Sequence, residues 1–374
     1  MSSIALIGAA IAIVMTDPET TPAASDEPPA TPAQIHGGYG SPARFWQTGT
    51  MLGDCAINAV FMHHGGSQAE YERAMKEGAL VFAEFGVFRN RKLATQRPDE
   101  LWPIGADGKR IEPTERFLGL CPTSERYNRE KLEELRALLQ SRPTLSGIWL
   151  DYLHFHCDFE LPEPPLTQSC FNDSCLERFQ GETGIVPQGS SRAEKAQWIL
   201  GNHANQWADW KCSVITDFAR RAREVLDQER PGTLLGIYSC PWTDDEYGGA
   251  MRSIVGEDIG QLARYIDVWS PMVYHGNCQR DPAWVEGYTA WLRRKLDAVG
   301  AGGRIWPIVQ GGGTPPHRPP VTPEGFEEAL RGAFRGGATG VMFYHFAAVA
   351  EDPAKLAVLR RVYRDPHNRP PATR

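Results

Sequence analysis

The sequence predicts one (β/α)8 barrel of the TIM-barrel type, a single domain with long loops between its strands and helices. Three observations support this prediction. Short apolar runs alternate with amphipathic helical stretches from Ile35 onward, eight such units follow one another, and no change of composition marks a second domain. A doubly wound open sheet is the alternative. However, the first predicted strand runs into residues 63–66 (His-His-Gly-Gly) and not into the glycine-rich turn that such sheets use to bind phosphate.

The predicted strands are short apolar runs that end at polar residues or at proline. They cover residues 56–61, 80–88, 117–121, 148–150, 234–239, 267–274, 305–310 and 340–346. The predicted helices have apolar residues at helical spacing, and they cover residues 68–77, 128–140, 170–180, 193–228, 251–265, 284–299, 323–335 and 353–363. A long polar loop is expected at residues 90–115.

The N-terminal segment is predicted to be a targeting element that is separate from the barrel at residues 35–374. Residues 4–15 are apolar and uncharged, too short for a membrane span of about 20 residues but suited to the core of a signal peptide. No Lys or Arg precedes them, so an uncleaved anchor and a misassigned start codon are alternatives. Residues 17–34 are rich in Pro, Ala, Thr and acids, and we expect them to form a disordered linker. The targeting segment and this linker together cover residues 1–34. We therefore expect a secreted, periplasmic or surface-anchored protein.

Charge and composition exclude some classes of partner. The formal net charge of -7 argues against nucleic acid or an anionic membrane surface, because phosphate binding requires clustered Lys and Arg. No stable membrane span is expected beyond the possible N-terminal anchor. The 41% hydrophobic content is enough for a large core. The 11 Trp residues suit that core, but some of them could also be flat platforms for sugar rings.

The densest group of titratable residues lies at residues 146–160 (SGIWLDYLHFHCDFE). Ile148, Trp149 and Leu150 are apolar, as in a strand that is buried on both faces. Asp151 follows directly, and a carboxylate there is costly unless it is paired, hydrogen-bonded or catalytic. In a barrel it would lie at the carboxyl end of the fourth strand, where such enzymes keep their catalytic residues. The alternative is a structural acid that caps a loop or pairs with an arginine.

Polar residues also follow most of the other predicted strands, so a site is expected where these strand ends meet. Besides Asp151, the candidate catalytic residues are Glu84, Asp244, Asp245 and Tyr274. An internal ion pair is an equally good interpretation of Glu84, and a solvated acidic loop is favoured for most of the acids that follow strand five. The candidate substrate-binding residues are His63, His64, His154, Trp102, Trp242, His275, Gln310, Tyr344 and His345.

Several segments together resemble bacterial glycoside-hydrolase-like barrel families, many of whose members have no assigned substrate. The resemblance spans residues 57–363 and rests on GIWLDYLHF, SCFNDSCLERFQGETGI, WADWKCSVITDFARR, VWSPMVYHG and GVMFYHF. A more distant likeness is to chitinase-type barrels, since Gly147, Asp151, Met272 and Tyr274 match their strand-four and strand-six patterns. Their catalytic Glu position is Leu153 here, so the chitinase mechanism is not implied.

The resemblance implies cleavage of a polysaccharide or glycoconjugate by two carboxylates, one protonating the leaving oxygen and the other attacking or activating water. Asp151 is expected to be one of them. Its partner is expected to be Glu84, then Asp244 or Asp245, then Asp158 or Glu160. Tyr274 would hydrogen-bond a substrate hydroxyl or assist the charge at the anomeric centre. Such a mechanism requires no cofactor and no metal.

Two other classes of function stay open. A metal-dependent barrel hydrolase or deacetylase would bind its ion through Asp151 and the histidines near the strand ends. Adjacent residues on a strand point to opposite sides, which argues against a shared role for His63 and His64. The third class is a carbohydrate-binding barrel without catalysis, because a fold alone does not establish activity. The candidate metal ligands are His63, His64, His154, His156, His275 and His345.

The chain has eight cysteines, an even number that permits disulfides behind an export segment. Cys157, Cys170, Cys175 and Cys212 lie around one strand-and-helix unit, and we expect either two bridges or a four-thiolate zinc site. The Cys170-x4-Cys175 spacing is looser than the Cys-x2-Cys of common zinc sites. Cys121 falls at a predicted strand end and is expected to be an ordinary buried thiol.

Overall fold

Parallel strands close into a barrel in the computed structural model of the chain, which describes residues 31–114, 117–313 and 321–368. The predicted export segment and residues 17–30 of the predicted linker lie outside the described residues. At the start of the described chain, Asn58 Nδ2 donates to the Gln34 carbonyl at 3.0 Å, which ties this residue to the barrel. Among the described residues, no helix has the length and apolar character to cross a membrane.

The barrel has eight strands, of which one consists of two segments. Strand β1 pairs with both β2 and β9, and β5 pairs with β6, so the sheet closes on itself. Segments β7 and β8 both pair with β6 and together form one barrel strand. The strands are β1 (Ile35–Tyr39), β2 (Ala59–His63), β3 (Leu80–Gly86), β4 (Gly147–Asp151), β5 (Leu234–Ser239), β6 (Val268–Val273), β7 (Arg304–Ile305), β8 (Ile308–Gln310) and β9 (Gly340–Tyr344).

Helices surround the barrel and bury one face against it. The longest, α8, buries twelve residues along its length, among them Trp207 and Trp210. The helices are α1 (Ala43–Gln47), α2 (Gln68–Lys76), α3 (Arg91–Gln96), α4 (Pro98–Leu101), α5 (Glu125–Ser141), α6 (Asp173–Thr183), α7 (Arg192–Asn202), α8 (Ala204–Glu229), α9 (Ile259–Leu262), α10 (Trp284–Ala298), α11 (Pro323–Arg335), α12 (Phe346–Ala350) and α13 (Pro353–Tyr363). A π-helix at Met251–Val255 and short 3-10 turns complete the chain.

The predicted barrel is confirmed, but two of its strands differ from the prediction. The strand expected at residues 117–121 is wrong: this segment is buried and forms no strand, because its apolar side chains pack within a loop. The first barrel strand, β1, was not predicted since two of its five residues are glycines. Both glycines are required by close packing, because a Cβ at Gly38 would come within 2.3 Å of the Phe346 ring and one at Gly37 within 2.9 Å of the Met342 Cβ.

Three predicted loop and helix assignments also change. The helix expected at 193–228 is two helices, α7 and α8, which are separated by His203. The helix expected at 251–265 is the π-helix followed by α9, and Gly256 between them adopts a left-handed conformation with φ 82°. The long loop expected at 90–115 contains the short helices α3 and α4.

Aromatic rings fill the interior of the barrel. Trp149 and Trp306 stack with their ring centroids 5.5 Å apart, and Phe61 and Phe82 stack at 4.7 Å. The Trp149 indole N–H donates to Ser270 Oγ at 2.9 Å, which satisfies its polar atom inside the barrel. We call these four stacked rings, Trp149, Trp306, Phe61 and Phe82, the aromatic plug. Because side chains alternate along a strand, the next inward positions on β3 and β4 lie one layer above it.

Enlarging Gly236 is expected to destabilise the barrel. A Cβ there would lie 2.3 Å from the Trp149 ring, so Gly236→Ala should lower the free energy of unfolding by about 1–3 kcal/mol through overpacking. Chemical denaturation measures this change. Gly287→Ala is the matched control, since Gly287 is exposed in α10 with open space around it, and a gain of up to about 1 kcal/mol is expected there. Equal stability of wild type and Gly236→Ala would contradict the described packing.

Candidate active site

Two carboxylates lie at the carboxyl ends of adjacent strands. Glu84 on β3 is in register with Trp149, and Asp151 is the last residue of β4, two positions after Trp149. Because Trp149 points into the barrel, the side chains of both acids point inward as well, and they lie directly above the aromatic plug. Each is only 6% exposed. The structure thus brings together the two acids that the sequence ranked first.

Four tyrosines surround this carboxylate pair, which we call the tyrosine cluster: Tyr39, Tyr238, Tyr274 and Tyr344. The Tyr39 ring centroid is 5.8 Å from that of Tyr238 and 5.1 Å from that of Tyr344, and Tyr274 lies 5.1 Å from Tyr344. The Tyr39 hydroxyl donates to Glu84 Oε2 at 2.5 Å. Tyr39 and Tyr238 were not expected from the sequence. Tyr39 is the last residue of β1, the strand that the sequence did not predict. Tyr238 lies in a predicted strand, and the alternation of side chains along that strand was a signal that could have identified it.

The environment of Asp151 favours its protonated form. Burial raises the pKa of this carboxyl well above its ordinary range, and the negative charge of Glu84 raises it further. The Tyr152 backbone N–H donates to Asp151 Oδ1 at 2.9 Å and opposes this shift only in part. The fold therefore keeps a proton on Asp151 beside a second carboxylate, which is the division that acid–base catalysis requires.

A third acid, Glu160, lies near the same pair in the loop that follows β4. It is half-buried, and its charge raises the pKa of Asp151 after the larger contributions of burial and Glu84. The pKa of Tyr274 is raised first by burial and then by Glu160. Glu160 was ranked behind Asp244 and Asp245 from the sequence. The structure places it closer to the chemistry than its rank implied.

Asp244 and Asp245 occupy a different environment from the carboxylate pair. Both are exposed, in the turn that follows β5. Lys295 Nζ on α10 lies 2.6 Å from Asp244 Oδ2. Their exposure agrees with the solvated-loop interpretation, because surface carboxylates of this kind retain their hydration.

The histidines are held by local hydrogen bonds. His63 and His64 were expected on opposite sides of a strand, but their rings stack at 4.4 Å because β2 ends at His63. His64 Nε2 lies 3.0 Å from Glu134. His156 Nδ1 accepts from the Gly119 N–H at 3.0 Å, and His154 Nδ1 lies 2.7 Å from the Phe155 carbonyl.

Burial keeps several of these rings neutral. It lowers the pKa of His154, His156 and His275 to about 4 in each case, and it lowers the pKa of His345 as well. Of the four, only His345 is partly exposed. Neutral imidazoles of this kind suit hydrogen bonding to a sugar or to the protein.

Three other predicted substrate-binding residues have structural contacts. Trp242 is buried against Phe159 and Tyr247, with ring centroids 6.1 and 4.6 Å away. The Trp102 indole N–H donates to the Ile111 carbonyl at 2.8 Å. Gln310 is fully buried, and its Nε2 donates to an asparagine side chain at 2.7 Å. These contacts agree with loop packing.

Possible metal ligands converge at one place. Within residues 31–114, 117–313 and 321–368, the only group of three or more His, Cys, Asp or Glu side chains close enough to share an ion is Cys121, Cys170 and Cys175. The expected grouping of Cys170 and Cys175 with Cys157 and Cys212 is wrong, because those two sulfurs instead lie 3.9 and 3.8 Å from the backbone carbonyls of Pro165 and Arg252, respectively. The eight thiols are all free and buried.

A closed parallel barrel with polar groups at the carboxyl ends of its strands has the architecture of the (β/α)8 barrel fold. Among solved structures, it is similar to the glycoside hydrolase domain of PgaB (BpsB) from Bordetella bronchiseptica. The TM-score is 0.64 at 14% identity, over 88% of this chain and 99% of that one. No protein-family model and no curated protein matches the sequence.

Larger glycosidases share the same barrel. A β-galactosidase from Halorubrum lacusprofundi matches with TM-score 0.63 at 14% identity, over 88% of this chain and 57% of its own. An α-L-fucosidase from Paenibacillus thiaminolyticus matches with TM-score 0.54 at 16% identity, over 88% and 49%. The chain thus spans about half the length of these enzymes. At such low identity the likeness establishes the fold.

Replacing Asp151 is expected to stabilise the protein in a pH-dependent way. The raised pKa of Asp151 means that the folded chain holds a proton which the unfolded chain releases above about pH 4. Folding stability therefore falls as pH rises from there through the folded pKa, and Asn has no proton to lose. Asp151→Asn should gain melting temperature over wild type as pH rises, with little gain at acid pH. Differential scanning fluorimetry across pH measures this, and Asp244→Asn is the exposed control. A difference that does not depend on pH would contradict the raised pKa.

Proposed function

We propose that the protein is a glycoside hydrolase that cleaves a polysaccharide or glycoconjugate with Asp151 and Glu84 as its catalytic carboxylates. One observation carries the proposal: two buried carboxylates lie on adjacent strand ends in environments that separate their roles. Asp151 is held protonated by burial and by its neighbour, whereas Glu84 accepts a short hydrogen bond from Tyr39. This is the pairing that glycosidic cleavage uses.

Asp151 is assigned the role of general acid. Its proton would pass to the glycosidic oxygen as the bond to the leaving sugar breaks, which removes the need to expel an alkoxide. The backbone N–H of Tyr152 holds Oδ1 and so orients the carboxyl group. Burial raises the pKa of Asp151 well above its ordinary range and so favours the protonated form.

Glu84 is assigned the role of base or nucleophile. Tyr39 holds Oε2, which leaves Oε1 to activate a water molecule or to attack the anomeric carbon. A carboxyl separation of about 5–5.5 Å would give retention and one of about 6.5–9.5 Å inversion. The anomer released first, observed by NMR, distinguishes these outcomes.

The tyrosine cluster supplies groups that suit a sugar. The Tyr238 hydroxyl is buried, with no hydrogen-bond partner among the described residues, and a substrate hydroxyl would satisfy it. Tyr274 and Tyr344 offer hydroxyls and ring faces in the same cluster. Together with Glu160 they favour a neutral or cationic sugar over a polyanionic one, since three acids already lie close together. The N-terminal segment remains a prediction of export, and it would place such a substrate outside the cytoplasm.

Loss of either carboxylate is expected to abolish hydrolysis. Asp151→Asn and Glu84→Gln should each lower kcat by about 10²–10⁴-fold, because general acid and base groups typically contribute that much. Asp244→Asn is the matched control and should stay near wild type. Release of reducing ends from a polysaccharide panel by the full-length protein measures this.

The same assay separates the three classes of function. Activity that survives chelator and vanishes in Asp151→Asn supports the glycosidase. Activity that chelator abolishes while circular dichroism shows the fold intact favours a metal-dependent hydrolase. Sugar binding without turnover, detected by thermal shift, favours a binding barrel. Unchanged turnover in Asp151→Asn would overturn the site assignment.

The pH dependence of kcat/KM should have an alkaline limb that belongs to Asp151. Burial and Glu84 raise the pKa of this acid, so activity falls as pH rises through the raised value and the proton is lost. Aryl glycosides with acidic leaving groups need no proton donor. Residual turnover of such substrates by Asp151→Asn should therefore lack the alkaline limb. A limb that persists in the variant would assign it to another group.

A further inference from the structure

Three cysteine thiols meet in a pocket apart from the carboxylate pair. Cys121, Cys170 and Cys175 are each fully buried, and their Sγ atoms all lie within 4.8 Å of one another. The Sγ atoms of Cys121 and Cys175 are 3.3 Å apart. The residues are up to 54 positions apart in the chain, so tertiary structure and not local sequence creates this cysteine triad.

Hydrogen-bond donors surround the sulfurs. Thr123 Oγ1 lies 3.2 Å from the Cys121 sulfur and 3.1 Å from that of Cys175, and the Ile104 N–H donates to Cys170 Sγ at 3.3 Å. Hydrogen bonds that are donated to a cysteine sulfur favour its thiolate form. Thiolate is the form of cysteine that binds metals.

A buried cation and further polar atoms lie in the same region. The Lys211 ammonium donates to the carbonyls of Ser253 and Ile254 at 2.9 and 2.7 Å. Burial lowers its pKa to about 7, and the sulfurs of Cys212, Cys157, Cys170 and Cys175, in that order, oppose this shift. Next to Cys170, the Ser169 hydroxyl and both polar atoms of the Asn172 side chain are buried without a hydrogen-bond partner among the described residues. Such orphaned groups are rare in folded proteins and indicate a ligand or ion that completes their surroundings.

We propose that the cysteine triad binds one thiophilic metal ion, with Zn²⁺ as the best match. Three thiolates are soft donors that select Zn²⁺ or Cu⁺ over Mg²⁺ and Ca²⁺. Binding Zn²⁺ to three thiols releases three protons and leaves a net charge of about -1 in the pocket. An oxygen donor completes the tetrahedron, and Thr123 Oγ1 is the nearest hydroxyl to two of the sulfurs.

The distances favour an ion over a disulfide. Sulfurs around tetrahedral zinc lie about 3.8 Å apart, since each Zn–S bond is about 2.3 Å. The three sulfurs already span this range, whereas a disulfide needs about 2.05 Å and would leave the third thiol alone in the pocket. A metal ion can bind all three converging thiols, whereas a disulfide joins only two of them.

The ion would hold one wall of the active site. Cys121 ends the segment in which Phe117 stacks over Tyr152 at 5.8 Å and the Gly119 N–H donates to His156. Cys170 lies in the loop after β4, the loop that carries Glu160, and Cys175 lies in the first turn of α6. A bound metal would therefore fasten the loop after β3 to the loop after β4, above Glu84 and Asp151.

Metal analysis of the full-length protein tests this site directly. Protein purified without chelator should contain about one zinc per chain by plasma mass spectrometry. Cys170→Ser and Cys175→Ser should reduce the content at least tenfold. Cys157→Ser and Cys212→Ser are matched controls, because these thiols are equally buried but lie outside the triad, and they should keep their zinc.

Two measurements on the wild-type protein test the site even if the triad variants fail to fold. Removal of zinc and loading with Co²⁺ should produce the thiolate-to-cobalt charge-transfer absorption, and adding Zn²⁺ to the apoprotein should raise its melting temperature. Copper in place of zinc would keep the site and change the ion. Wild type without metal after growth in zinc and without a cobalt signal would overturn the proposal. So would zinc that persists in both triad variants, or a native Cys121–Cys175 disulfide found by mass spectrometry.

Discussion

Repulsion between Glu84 and Asp151 is the constraint around which this barrel is arranged. Two carboxylates that are each 6% exposed cannot both be ionised without a large free-energy cost. The structure resolves the conflict by placing a proton on one and a tyrosine hydroxyl on the other. The aromatic plug beneath them excludes water from below, which strengthens the repulsion and fixes the level at which it acts. Stability is thus given up at the carboxylate pair to which we assign catalysis.

Much of the barrel and of its carboxylate pair could be predicted from the sequence, because both rest on local patterns. An acid that directly follows an apolar run, as Asp151 does, identifies a strand end and a functional candidate together. Glu84 was a candidate as an acid embedded in a predicted strand, where an internal ion pair was an equally good interpretation. Strand β1 was missed because glycines replace the usual β-branched residues where β9 packs closely, and Tyr39 was missed with it.

The remaining errors arise where tertiary contacts replace local patterns. Residues 117–121 are apolar like a strand but fill a loop, and periodicity cannot distinguish these two kinds of burial. Cysteine spacing grouped Cys170 and Cys175 with their sequence neighbours, whereas their partner Cys121 comes from the preceding strand-and-helix unit. Trp242 belongs to the packed loops in the structure, whereas the sequence alone suited a sugar platform and loop packing equally well.

The position of Tyr39 links the proposed active site to completion of the fold. This residue lies on β1, and the strand becomes part of the barrel only by pairing with β9, some three hundred residues later in the chain. Until β1 pairs with β9, the Tyr39 hydroxyl cannot donate to Glu84, and the proposed site lacks this strand. During synthesis a ribosome-bound chain would therefore hold the acids without their finished environment. The proposed site would be complete only when the first and last strands meet.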